Sequence, residues 1–75
     1  MTLDECRPGE QLLIRAVQGL QLRAMAIRLG VAAGAEVHCQ ARLHRGPVIL
    51  RCGDQEIAVG YGIARHILVR SLPAG

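Results

Sequence analysis

Three cysteines (Cys6, Cys39, Cys52) and three histidines (His38, His44, His66) carry the softest donor atoms in this chain. Such side chains bind zinc and the later first-row metals, and a thiolate is also a nucleophile. Either chemistry needs several groups to converge, so spacing decides between them. No C-x-x-C is present. The run from Glu36 alternates cleanly: Val37, Cys39, Ala41 and Leu43 take one face, and Glu36, His38, Gln40 and Arg42 the other. This is the pattern of a half-buried strand. A four-residue loop in the next hairpin pairs Leu43 with Val48 and sets Cys39 opposite Cys52. Both sulfurs then point inward, near enough for a disulfide or a shared soft metal. His38 lies on the other face and no third inward ligand joins them, so the plainer reading is two reduced core thiols acting as small hydrophobes. The histidines fall on outward or turn positions without the spacing of a zinc site. No metal site and no cofactor is therefore expected. Nor is catalysis: no Ser or Cys is matched to a His and an acid, no glycine loop cradles phosphate, and no carboxylate pair sits in a pocket.

Charge points to binding instead. All nine basic residues are Arg, and the formal net charge is +3. Arg15, Arg23, Arg28, Arg42, Arg45 and Arg51 face a single acid, Glu36, in the middle of the chain, while Asp4, Glu5 and Glu10 gather at its start. A mildly basic middle suits an acidic protein or nucleic acid, although a solvated face explains it as well. Small β domains bind single-stranded nucleic acid by stacking bases on aromatic rings, and proline-rich peptides need an aromatic-lined groove. Tyr61 is the only aromatic residue. Nucleic acid is therefore not an expected partner, and a surface that binds another protein remains.

Positioning such a surface requires a scaffold. Leu22, Met25, Ala26 and Leu29 recur at helical spacing, which predicts a helix over about Gln21–Leu29, and Gly30 supplies the left-handed residue that stops it. Ile27 lies off this stripe, with Arg23 one turn before it and Arg28 beside it. An aliphatic residue flanked by arginines resembles the centre and rim of a small interface, so Arg23, Ile27 and Arg28 are the candidate partner-binding residues. The other possible place for Ile27 is beneath the Gly30–Gly34 loop. Around this helix the sequence reads as strands. Gln11–Val17 carries Leu12, Ile14 and Ala16 on one face. Glu36–Leu43 and Val48–Cys52 come next, and Gly53-Asp54 forms a two-residue type II′ turn into the strand holding Ile57 and Val59. Tyr61–Arg65 is a single 3₁₀ turn, and Ile67 and Val69 end the inward set. Thr2-x-x-Glu5 matches a capping box for one short turn that presents Leu3 to the core.

Five short strands and one helix inserted after the first predict a mainly β, five-stranded barrel, since closing the sheet removes its edges. Residues 1–75 form one domain with a thin core, burying ~60% of the unfolded surface. No apolar run approaches the ~20 residues of a membrane span, and the start of the chain lacks the apolar region of a secretory signal. An odd number of cysteines fits a reducing compartment, so the expected location is cytoplasmic, without insertion into the membrane.

Leu29-Gly30-Val31-Ala32-Ala33-Gly34, after an Arg-rich amphipathic turn, resembles the L-G-hydrophobic-x-P-G segment of ferrous-iron transport protein A (FeoA). Leu3 with Arg7-Pro8-Gly9-Glu10 resembles the opening of that family. Gly46-Pro47-Val48, Glu56-Ile57-Ala58-Val59 and Ala64 with Ile67-Leu68-Val69 resemble its later strands. The likeness runs through nearly the whole chain in order. It departs at Ala33, where the family usually has Pro, and at Ala26, where it often has Leu. The resemblance implies an SH3-like barrel that serves as an accessory protein of bacterial ferrous-iron uptake. Its implied partner is the cytoplasmic part of the permease that carries a G-protein domain. A second reading is a regulatory module like the SH3-like C-terminal domain of iron-dependent repressors, which normally comes after a winged-helix DNA reader for which this chain has no room. A metal carrier is a third, disfavoured by ligand spacing.

Overall fold

A computed structural model describes residues 1–73. A 3₁₀ turn, Leu3–Glu5, opens the chain, followed by β1 (Gln11–Val17), α1 (Leu20–Leu29), β2 (Glu36–Arg42), β3 (Val48–Cys52), β4 (Gln55–Val59), α2 (Tyr61–Ala64) and β5 (Ile67–Ser71). The strands form one antiparallel sheet in the order β4-β3-β2-β1-β5. It curls into a five-stranded SH3-like barrel around Leu12, Ile14, Val37, Leu50, Val59 and Val69, all buried. Among the described residues the hydrogen-bonded ladder does not close, contrary to the expectation that pairing would remove every edge. β4 and β5 are its outer strands, and the short α2 runs between them. Apolar residues of α1 and α2, including Leu22, Met25 and Ile63, line a cleft of about 150 Å³ over this gap together with Val17, Val59 and Ile67.

Local sequence rules hold at the ends of the elements. Gly30 takes φ 81°, its N–H reaches the Ile27 carbonyl, and the Val31 N–H reaches the Ala26 carbonyl at 2.9 Å. These bonds close α1 with the paired turn that a left-handed glycine permits. Gly53 has φ 60° and, with Asp54, links paired Cys52 and Gln55, as a two-residue hairpin requires. Ala26 is the one buried residue of α1, whereas Leu29, placed on the inward stripe by its spacing, is 41% exposed. Leu22 packs against the core one turn before Ala26, while Leu29 lies at the last turn on the rim of the cleft. Tyr61–Ala64 is an α-turn rather than the expected 3₁₀ turn, because the Ala64 N–H reaches back four residues to the Gly60 carbonyl at 2.9 Å.

Two β-bulges correct the register read from the sequence. In β1, Ile14 faces Val69 and Ala16 faces Leu68, so Arg15 is the extra residue. In consequence Val17, not Ala16, takes the next buried position. In β2, Cys39 faces Leu50 and Ala41 faces Ile49, so Gln40 is extra. The expected pairing of Leu43 with Val48 is replaced by Arg42 with Val48, and Leu43 is 59% exposed in the turn. A bulge puts two residues of one strand opposite one of its partner and inverts the side-chain phase beyond it.

The N-terminal segment is tied down by carboxylates. Glu5 accepts the Thr2 backbone N–H at 3.0 Å, as the capping box predicts. Glu10 accepts the Arg7 N–H at 2.6 Å and the Ser71 hydroxyl at 2.8 Å. These bonds stabilise the ionised forms and hold both carboxyls below their ordinary value, the largest cause being the backbone N–H of Thr2 for Glu5 and of Arg7 for Glu10. Each group therefore binds its proton more weakly folded than unfolded. The stability it contributes is present above the unfolded value of 4.5 and is lost as pH falls through the depressed folded value. Thermal melts of the Glu5→Gln, Glu10→Gln double variant are expected to show a shallower loss of Tm below that pH than the parent. Equal slopes would sink this assignment.

Candidate functional site

The Arg15 bulge has a consequence on the surface. Arg15, Ala16 and Val17 form the floor of an open cleft of about 400 Å³, Arg23 and Ile27 of α1 form one wall, and Ala32 and Ala33 the other. The second wall is fastened to β1, since the Gly34 N–H bonds the Ile14 carbonyl at 2.7 Å and the Ile14 N–H bonds the Ala35 carbonyl at 2.8 Å. Gly34, at φ 95°, makes the turn that allows this double contact. No acidic residue lines the cleft. Its chemistry is therefore an apolar trough edged by two guanidiniums, suited to an aliphatic side chain accompanied by carboxylates.

Of the residues singled out by sequence, the structure brings Arg23 and Ile27 into this cleft and leaves Arg28 exposed outside its lining. Ile27 is 69% exposed, so it does not sit beneath the Gly30–Gly34 loop. Arg15 escaped notice because nothing in the alternation of Gln11–Val17 marks it as a bulge. The only available signal was a charged residue inside an otherwise apolar strand.

The thiols are arranged differently from the sequence reading. Cys39 does not meet Cys52, because the turn pairs Arg42 rather than Leu43 with Val48 and the Gln40 bulge adds a second one-residue slip, which leaves Cys39 opposite Leu50. Cys52, half-buried, places its Sγ 3.4 Å from the Gly30 carbonyl oxygen. Cys39 instead meets Cys6, Sγ to Sγ at 3.0 Å, both residues fully buried. Burial, and then the hydrogen bond to Cys39, push the Cys6 thiol up to about 12. No group of three His, Cys, Asp or Glu among the described residues, His38, His44 and His66 included, is placed to hold a metal ion. Titration of the reduced protein with Fe²⁺ is expected to give no binding tighter than millimolar. Stoichiometric micromolar binding, abolished by Cys39→Ser, would overturn the core-thiol reading. Otherwise Cys39→Ser costs ~1–3 kcal/mol of stability by placing a hydroxyl in an apolar site.

A five-stranded antiparallel sheet with one helix inserted after β1 and a one-turn helix before β5 defines a small SH3-like domain. The chain belongs to the FeoA domain family, whose model matches residues 1–71. It is similar to an iron uptake regulatory protein (FeoA) known from a crystal structure, with a TM-score of 0.88 and 27% identity over 96% of this chain and 97% of that one. It is also similar to Stenotrophomonas maltophilia FeoA complexed with zinc, described as a prokaryotic SH3 domain protein, at TM-score 0.78 and 24% identity over 93% of this chain and 89% of that one. A manganese-dependent transcriptional repressor shares the fold at TM-score 0.83 and 20% identity, over 96% of this chain but 41% of its own. No curated protein matches the chain in sequence. No helix among the described residues is long and apolar enough to cross a membrane.

Proposed function

We propose that this FeoA-domain protein is a cytoplasmic accessory component of ferrous-iron uptake, which acts by binding the cytoplasmic, G-protein-bearing part of the iron permease. Family membership supplies the process, and S. maltophilia FeoA is described as a candidate activating factor of ferrous-iron transport. The observation that carries the docking site is Ile27, exposed on the wall of a cleft edged by Arg15 and Arg23. The partner inserts an aliphatic side chain against Ile27 and sets carboxylates against the two arginines, with Arg28 on the outer rim. Arginine suits this place because its weakly hydrated, planar guanidinium pairs with carboxylates at little desolvation cost.

Calorimetric titration with the separately purified cytoplasmic domain of the permease tests the reading. Saturable binding that weakens as salt rises is expected, since rim charges are screened. Absence of binding by the folded protein at both low and high salt overturns it. A second reading, a regulatory module akin to the C-terminal domain of metal-dependent repressors, draws on the shared fold. It is favoured instead if the chain binds a repressor's DNA-reading domain and ignores the permease.

A further inference from the structure

The docking cleft leaves the buried thiol pair unused. Cys6 lies just after the 3₁₀ turn, in a segment joined to β5 by the Thr2–Leu68 bridge and by the Val69 N–H, which bonds the Met1 carbonyl at 2.8 Å, whereas Cys39 belongs to β2 inside the sheet. Their backbones are fastened around the sulfurs: the Gly9 N–H bonds the Cys39 carbonyl at 2.8 Å and the Cys39 N–H bonds the Glu10 carbonyl at 2.9 Å. Arg42 adds a third tie through its Nη1, which donates to the Asp4 carbonyl at 3.0 Å. The two Sγ atoms, at 3.0 Å, stand within ~1 Å of bonding distance. Both cysteines are fully buried, and the Cys39 Sγ also has the Ala41 carbonyl at 3.9 Å.

We infer that Cys6 and Cys39 are the site of an intramolecular disulfide that fastens the N-terminal segment to β2. The oxidant is a small thiol-oxidising molecule, either a low-molecular-weight disulfide or, in the test, the diazene diamide. With diamide the two S–H bonds break, one S–S bond forms, and both hydrogens pass to the N=N bond, which becomes a hydrazine. With a small disulfide the same pair of electrons cleaves its S–S bond and releases two thiols. Burial makes the reaction slow at neutral pH, because the attacking species is a thiolate and the Cys6 proton is held tightly. The bond, once made, is shielded in the same way from reductants. Cys52 takes no part, since its sulfur lies against Gly30 and Glu36 carbonyls rather than another thiol.

The test uses the full chain carrying Cys52→Ser, so that the more accessible thiol cannot form dimers. Diamide treatment under native conditions is expected to lower the intact mass by two hydrogens and to yield a peptide joining Cys6 to Cys39. Because the bond spans 33 positions, it should raise Tm by ~10–20 °C through the restricted unfolded chain. Adding Cys6→Ser should abolish the mass change and the Tm rise together. Two thiols still free after native treatment overturn the inference, as does a cross-link formed only in denaturant. A disulfide that leaves Tm unchanged or lower removes the fastening role. None of these readouts involves the permease, so the thiol pair stands or falls apart from the docking cleft.

Discussion

Leu12→Ala is expected to remove a large share of the protein's stability. Leu12 is fully buried on β1, the strand that pairs with both β2 and β5. Truncation removes the transfer energy of the lost carbons and leaves a cavity between two strand partners, together costing ~2–5 kcal/mol. A chain of this length has only ~4–11 kcal/mol of total stability to lose. The core contains no Phe or Trp that could move into the gap, and its other members are mostly Val, Leu, Ile, Ala and Cys. The corresponding fall in Tm is ~10–40 °C, read by circular dichroism. Leu20→Ala provides the contrast, because Leu20 is 79% exposed at the start of α1 and its truncation should move Tm by a few degrees at most. Equal effects at the two leucines would contradict the assigned register of β1.

Ile27→Asp is expected to abolish capture of the permease's cytoplasmic domain while leaving the fold intact. Ile27 is 69% exposed, so its replacement forfeits little buried area and Tm should stay within a few degrees. At the centre of an interface the same change removes an aliphatic anchor and buries a carboxylate. Losses at such central positions run to ~2–4 kcal/mol, about 30- to 1,000-fold in affinity. Arg23 and Arg15 would draw the new carboxylate toward themselves and so also withdraw from the partner's acids. Ile27→Leu should retain most of the binding, and Leu20→Asp, outside the cleft lining, should retain all of it. A folded Ile27→Asp protein that binds normally removes this face from the function. One that unfolds shows that α1 depends on Ile27 for its place on the barrel.

Much of this architecture arises from short-range physics and was legible in the chain. The alternation in Gln11–Ile14 and Glu36–Cys39, the helical recurrence of Leu22, Met25 and Ala26, and the glycine turns at Gly30 and Gly53 each depend on neighbours within a few residues. Backbone sterics and solvent act on such segments in much the same way in any fold. The order of these signals was also sufficient for the resemblance to FeoA, which the family match over residues 1–71 bears out. That Arg23 and Ile27 share one surface was legible because both lie on one helix, off its apolar stripe, and the two line the same cleft.

Only the tertiary structure decided where the strands slip. The bulges at Arg15 and Gln40 are defined against β5 and β3, tens of residues away in sequence for β5 and across a turn for β3. Each extra residue inverts the side-chain phase of the rest of its strand. Val17 thereby replaces Ala16 in the core, Arg15 joins Ile27 across the cleft, and Leu43 is turned out to solvent. The Arg42–Val48 pairing at the turn and the Gln40 bulge, one residue of slip each, also moved Cys39 from Cys52 to Leu50 in the ladder, while the N-terminal turn brought Cys6 onto its sulfur. Local sequence specifies a strand's two faces. Which residue lies across from another depends on the free energy of the whole ladder, and no segment of the chain carries that by itself.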